Sequence, residues 1–229
     1  MLHEGPPVEP RPAATVVLAR GRAPWEVLMM RRPGGAEFAP GAYVFPGGSV
    51  HREDRSFGDE IKAAAVRELF EEVGVLLARR RGRFARDPDC GRLRELLGSG
   101  AAWPAALSAL ELEPAFDRLA YFARWVTPEQ LRRRFDTRFF LCRLPAGQRI
   151  HPQPDEVEDW LWISPTAALS DSRVTLVHAT RMNLAALAGE SDVARLIAKV
   201  RRRVPPALIE PRLVQADEGW KVLMPGEPP

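Results

Sequence analysis

The stretch Arg67-Glu68-Leu69-Phe70-Glu71-Glu72-Val73-Gly74-Val75 decides how this chain reads. Glu68, Glu71 and Glu72 stand at i, i+3 and i+4, which is one face of an α-helix. Like charges at those spacings cost a helix about 0.2–0.5 kcal/mol per pair unless something positive lies between them. A hard divalent cation such as Mg²⁺, which prefers oxygen ligands and keeps several waters, is the natural occupant. The pattern points to metal-assisted phosphate chemistry.

Outward from this stretch, the apolar residues Ile61, Ala64, Ala65, Leu69 and Val73 recur at helical spacing. They predict a helix over 60–73, apolar on one side and acidic on the other. Gly74 is expected as the left-handed residue that stops it, with Val75-Leu76-Leu77 opening a strand. Upstream, β-branched and apolar runs predict strands over 13–19 and 25–30, joined at Gly21-Arg22-Ala23-Pro24. A loop over 32–41 leads to a short strand over 43–45, and Pro46-Gly47-Gly48 is expected to break regular structure. The proline-rich residues 1–12 read as an extended arm.

Residues 79–117 read as a helical insert: a basic loop, then helical patterns around 93–97 and 105–110. A cap over the substrate, a surface elaboration and a homodimer contact are open readings of it. Strands are expected over 119–126, 138–143 and 160–163, with an acidic loop over 146–159. Helices follow over 165–169, 174–188 and 192–202. The tail over 212–224 reads as a hairpin turning at Ala216-Asp217-Glu218-Gly219. Residues 171–229 thus form a C-terminal extension, and the 229 residues suit one domain of α/β class.

Hydrophobic residues make up 45% and charged residues 28% of the chain, a soluble balance with ample material for a core. No apolar run approaches the roughly 20 residues needed to span a bilayer, so no membrane partner is expected. The opening Met-Leu-His-Glu-Gly-Pro-Pro lacks the basic start and apolar run of a secretion signal. Cys90 and Cys142, the only cysteines, are too few for a disulfide framework. A cytoplasmic, reduced setting is expected. Thirty of the 33 basic residues are arginine, yet the net charge is only +3. Clusters such as Arg79-Arg80-Arg81 and Arg132-Arg133-Arg134 read as solvated faces. Without interleaved aromatics or a recognisable module they imply no nucleic-acid partner.

Residues 67–75 match the second half of the Nudix box at every defined position, and Phe45-Pro46-Gly47-Gly48 matches its lead-in. The chain therefore resembles the Nudix hydrolases, which implies an α/β/α sandwich around a mixed sheet. One departure stands out. Gly48 and Arg67 are 19 positions apart instead of 14, a five-residue insertion within a box spanning 48–75. Counting back from Arg67, Asp59 occupies the position of the earlier box glutamate, with Glu60 beside it.

The resemblance implies that Glu68, Glu71 and Glu72 bind Mg²⁺ or Mn²⁺ together with the Gly48 carbonyl, and that Arg67 holds a neighbouring carboxylate in place. Glu68 and Arg67 are thereby catalytic candidates. A catalytic base is implied in the loop Asp155-Glu156-Val157-Glu158-Asp159 ahead of Trp160 and Trp162. Glu156 is the first candidate and Glu158 the second. Gly47 and Arg32 are candidate contacts to the substrate's phosphates: Gly47 leaves room for close backbone approach, and Arg32 lies in the run below.

The runs 41–48, 67–77 and 134–140 resemble a coenzyme A diphosphatase branch with an enlarged box. This implies hydrolysis of a nucleoside diphosphate linked to another moiety, CoA or acyl-CoA first. Leu28-Met29-Met30-Arg31-Arg32-Pro33 begins the CoA signature and Gly41 and Phe45 continue it, but Glu37 replaces its second arginine. ADP-ribose, a dinucleotide or a nucleoside triphosphate are the rival substrates, and a non-catalytic nucleotide sensor is the rival class. Trp103 and Trp125 read as base-stacking candidates or core, and His51 as a loop residue near the phosphates.

Overall fold

In the computed structural model, residues 5–36, 39–216 and 219–228 are described. Glu37 and the Asp217-Glu218 part of the tail turn, both singled out above, lie outside them. Along the chain run β1 (Arg11–Gly21), β2 (Trp25–Arg31), β3 (Tyr43–Val44), β4 (Gly47–Ser49), α1 (Glu60–Val73), β5 (Ala78–Arg80) and β6 (Arg83–Phe84). Next come α2 (Asp87–Gly98), α3 (Trp103–Ala109), β7 (Glu113–Pro114), β8 (Ala120–Val126), β9 (Phe135–Arg143) and β10 (Asp159–Ile163). The chain closes with α4 (Pro165–Ser170), α5 (His178–Ala188), α6 (Val193–Arg202), β11 (Leu208–Ile209), β12 (Arg212–Ala216) and β13 (Gly219–Leu223).

The main sheet is mixed, in the order β10-β2-β1-β9-β8-β11. β1 runs parallel to β9 from Arg11↔Phe135 to Ala19↔Arg143, and β11 runs parallel to β8. β1 shares its other edge between two partners: β2 takes Ala19–Gly21 and β4 takes Ala13–Thr15. The sheet is covered on both faces. Along β1, Ala14, Val16 and Leu18 join a core with α1, α2 and α3. Val17 and Ala19 join a second core with α5 and α6. Alternate side chains of one strand point to opposite faces, so one apolar run feeds both cores. The expected three-layer α/β architecture is what the chain adopts.

The structure corrects several boundaries. β1 begins at Arg11, inside the expected arm, because Arg11 and Pro12 already pair with Phe135 and Asp136. Gly47 and Gly48 form a strand instead of breaking one. Residues 75–77 are buried but not a strand: Gln148 takes the Leu76 backbone, accepting from its N–H and donating to its O, and Ala115 N–H donates to Leu77 O. The helix expected from 174 starts at His178, because Tyr43 N–H donates to Thr175 O and Tyr43 bridges Leu176, keeping that segment extended. The short strands β5, β6, β7 and β11 carried too little periodicity to be read. Among the described residues no helix is long and apolar enough to cross a membrane.

Candidate active site

α1 is set at both ends by its own sequence. The Asp59 side chain accepts from Lys62 N at 3.1 Å, capping the start. Gly74 takes φ 72° at the end, and its N–H closes on Phe70 O. Gly74 is also a point of close approach, since an added Cβ would lie 2.9 Å from the His151 Cβ.

The helix does not simply divide into an apolar side and a wet acidic side. Arg67 (2% exposed), Glu68 (9%) and Glu72 (5%) are all buried, and only Glu71 of the acidic set is exposed. Arg67 organises the cluster. Its Nη1 donates to Glu68 Oε1 at 2.9 Å and Glu71 Oε2 at 2.7 Å. Its Nη2 donates to Ser49 O at 2.9 Å, tying α1 to β4.

The remaining partner of Arg67 was not singled out from the sequence. Asp54, fully buried in a short 3₁₀ turn over Arg52–Phe57, accepts from Arg67 Nε at 3.1 Å and Nη2 at 3.0 Å. Counting back from Arg67 leads to Asp59, which is the helix cap instead. Counting forward six residues from Gly48 leads to Asp54. The extra residues therefore lie between Asp54 and Arg67, and the forward count was the signal available. Burial works against the Arg67 charge, but the bond to Asp54 and the charges of Glu68 and Glu71 outweigh it and push its pKa up.

β4 lies directly against the acids. Gly47 N–H donates to Glu72 Oε2 at 2.7 Å. A Cβ on Gly48 would come within 2.5 Å of the Glu68 carboxylate, so a side chain there would force Glu68 to move. A Cβ on Gly47 would meet Ala14 O at 2.3 Å. The missing side chains at both positions are what bring backbone and carboxylates together.

The acidic loop is fastened to the C-terminal end of α1. His151 N–H donates to Val73 O and Gln153 N–H to Glu72 O, each at 2.8 Å. This docking brings Glu156 close enough for its charge to raise the pKa values of Glu68, Glu71 and Glu72. Glu158 faces elsewhere: its N–H donates to Arg31 O and its carboxylate meets Arg31 at 3.4 Å. Arg32 is near enough to lower the Glu72 pKa. His51 donates its backbone N–H to Asp54, and its charge acts on Glu71.

Burial pushes the Glu68 carboxyl up to about 7 against the pull of Arg67. Burial and the Glu68 charge push Glu72 well above the usual carboxylate range, and the Gly47 N–H only partly offsets this. Desolvation also raises Glu71. Arg67 and Asp54 offset one another, which leaves Glu68, Glu71 and Glu72 as surplus acids that hold their protons more readily than free carboxyls do. Among the described residues no three acidic, histidine or cysteine side chains converge into a ready-made metal cage. Each of the three glutamates turns one oxygen to Arg67 or Gly47. The donor set is nonetheless all oxygen and strongly anionic, which suits a hard dication that needs only one or two carboxylates and retains waters.

Trp103 packs in the core against Phe70 with ring centroids 5.7 Å apart. Trp125 lines a cavity on the opposite sheet face.

Comparison with known proteins agrees with this geometry. The family model described as the NUDT19 Nudix domain matches residues 59–178, just over half of the chain. A Caenorhabditis elegans protein provisionally named nudix hydrolase 7 is 34% identical over 163 residues, covering 71% of this chain and 54% of the relative. The human acyl-coenzyme A diphosphatase NUDT19 is 29% identical, covering 69% of this chain and 62% of the relative. The chain thus spans only 54% to 62% of the length of these curated relatives. A crystal structure of a Nudix hydrolase from Alicyclobacillus acidocaldarius superposes with a TM-score of 0.73 at 27% identity, covering 83% of this chain and 96% of the other. A box helix seated on a glycine strand, the family match and the shared fold converge: the chain belongs to the Nudix superfamily, in its coenzyme A diphosphatase-like branch.

Proposed function

We propose that the protein hydrolyses the diphosphate bond of a nucleoside diphosphate joined to another moiety, with CoA or acyl-CoA as the first substrate class. The observation that carries the reading is the cluster of buried acids against Gly47 and Gly48, whose charged forms a divalent cation would stabilise while offsetting the charge of a bound diphosphate. Glu68, Glu71, Glu72 and the Gly48 carbonyl would hold Mg²⁺ or Mn²⁺, which supplies charge neutralisation and makes water more acidic.

The rest of the site is this chain's own work. Arg67 keeps Glu68 and Glu71 side by side and anchors them to β4. Glu156, held by the loop docked on α1, would take a proton from the attacking water. Gly47 and Gly48 let the phosphates lie against backbone, and Arg32 adds positive charge beside Glu72. The CoA assignment draws on the likeness to the human acyl-coenzyme A diphosphatase and on the matching runs of sequence. We place the activity in a single domain made of the whole chain.

The test is a substrate panel of CoA, acyl-CoAs, ADP-ribose, NADH and nucleoside triphosphates, with Mg²⁺ or Mn²⁺, read by phosphorus-containing products. Turnover of CoA-type diphosphates to adenosine 3′,5′-bisphosphate and a 4′-phosphopantetheine product is the expected result. Tight nucleotide binding without turnover of any substrate would replace the hydrolase reading by a sensor.

A further inference from the structure

The small sheet β6-β5-β7 is separate from the main sheet, and the arginine run 79–81 divides across it. Arg79 pairs with Phe84 between β5 and β6, and Arg80 pairs with Arg83. Successive residues of a strand point to opposite faces, so one face carries Arg79 and Phe84 and the other Arg80 and Arg83. The first face is fastened. Arg79 grips the Asp117 carboxylate with both terminal nitrogens. Arg79 and Arg118 lie over the Phe84 ring at 4.5 and 5.4 Å, and Arg201 donates to Asp117 O at 2.7 Å. The hairpin is held by this face and presents the other.

The presented face is built against its own electrostatics. Arg80 and Arg83 are direct cross-strand partners, and like charges so placed repel unless an anion lies between them. Arg80, Arg81, Arg83 and Glu111 line an open hollow there. Arg80 reaches Asp89 at 3.2 Å, but that carboxylate also accepts from Arg86 N. Arg81 meets Glu111 at 3.0 Å. Arg83 makes no ion pair among the described residues. Three guanidiniums thus share the hollow with a single carboxylate.

Two of these residues also hold an unfavourable backbone. Arg81 and Gly82 make the hairpin turn with φ 50° and 77°, the conformation that Asn-Gly adopts most easily. Glu111 takes φ 53° just past the end of α3, where glycine is the usual residue. Among the described residues, Ala39 is the only other non-glycine with positive φ. Arg81 and Glu111 therefore meet across the hollow from two strained positions, at a cost to stability that a smaller residue would avoid.

We infer that this hollow binds a small anion carrying two or more phosphate groups. Guanidinium forks match phosphate oxygens two at a time. A singly charged anion would only replace Glu111 at Arg81, whereas a ligand with several charges can bridge Arg80, Arg81 and Arg83 together. Such a ligand needs no divalent cation here, so the inference does not rest on the proposed hydrolysis.

The experiment is calorimetric titration of the full chain with inorganic tripolyphosphate in EDTA, at about 0.15 M salt to screen isolated surface charges. Chelation keeps metal-bridged phosphate away from the α1 carboxylates. Wild type should bind tripolyphosphate, and orthophosphate at least about tenfold more weakly. Arg80→Gln and Arg83→Gln should each weaken tripolyphosphate at least about tenfold. Arg81→Asn should weaken it as well while raising Tm, because asparagine suits the turn. Glu111→Gln should tighten it severalfold, since the competing carboxylate is gone. Arg181→Gln, at an exposed site of α5 across the main sheet, should behave like wild type. Absence of binding by wild type, unchanged binding by the Arg80 and Arg83 variants, or an equal loss in Arg181→Gln would overturn the inference.

Discussion

The two faces of the main sheet solve opposite problems. On the α1 face, Glu68, Glu72, Asp54 and Arg67 are buried together beneath a glycine strand, and the acids outnumber the single guanidinium. On the α5 face, the same region of β1 and β9 borders a cavity of mostly apolar walls, where burial costs little. One strand, β4, serves both because its glycines leave room on either side. The contrast teaches that the acidic face carries a cost the apolar face does not: crowded buried carboxyls weaken a fold unless a ligand completes them.

The most direct way to break this contrast is to neutralise one acid. Glu72→Gln should lower turnover by more than about 100-fold, beyond the cost typical of losing an outer partner of a metal. The metal-free protein should melt no lower than wild type, because a desolvated carboxyl is replaced by a neutral group of the same shape. Wild-type-like turnover would end the metal-site assignment. The two loop glutamates sharpen the picture next. Glu156→Gln should slow turnover by about 100-fold, whereas Glu158→Gln, turned toward Arg31, should change it less than twofold. Steady-state rates at saturating Mg²⁺ distinguish them, and the reverse order would exchange their roles.

A third test separates positioning from chemistry. Asp54→Ala leaves Arg67 buried without its two-pronged partner and should cost about 3–5 kcal/mol in denaturant unfolding. Asp59→Ala removes a helix cap and should cost about 1 kcal/mol. Equal costs would return the partner role to Asp59.

The smallest effect is on pH dependence. The Glu68 pKa rises from 4.5 to about 7 on folding, so the unfolded chain releases this proton first. Stability without metal should therefore fall as pH rises from about 4.5 through 7. Mg²⁺ at ten times its Kd should restore about 1.4 kcal/mol, or roughly 3–6 °C in Tm, at pH 8. Much less should return at pH 5, where protonated acids bind cations poorly. Equal Tm gains at both pH values would argue against a site built from these carboxylates.

Much of this site was legible in the order of residues. The spacing of Glu68, Glu71 and Glu72, the cap at Gly74 and the glycine pair at 47–48 are local signals, and α1 spans the expected 60–73. Glu156 lies in the expected acidic loop, six residues before Trp162. Less legible were Asp54, hidden by a count taken from the wrong end of an enlarged loop, and β4, whose glycines signal a break unless the neighbouring strand is known. Glu37, where the CoA signature departs, lies outside the described residues.

What the sequence determined alone was the acidic helix and the Nudix character of its box, because helical spacing and glycine conformation act over a few residues. Tertiary structure alone decided which loop glutamate turns toward the cluster and that the C-terminal tail walls a cavity behind β4. Those outcomes depend on segments 70 to 170 residues apart meeting across a sheet, as Arg134 and Glu210 do or Trp25 and Glu190. No local pattern encodes such a meeting, since the energy that selects it comes from burying both faces of the sheet at once.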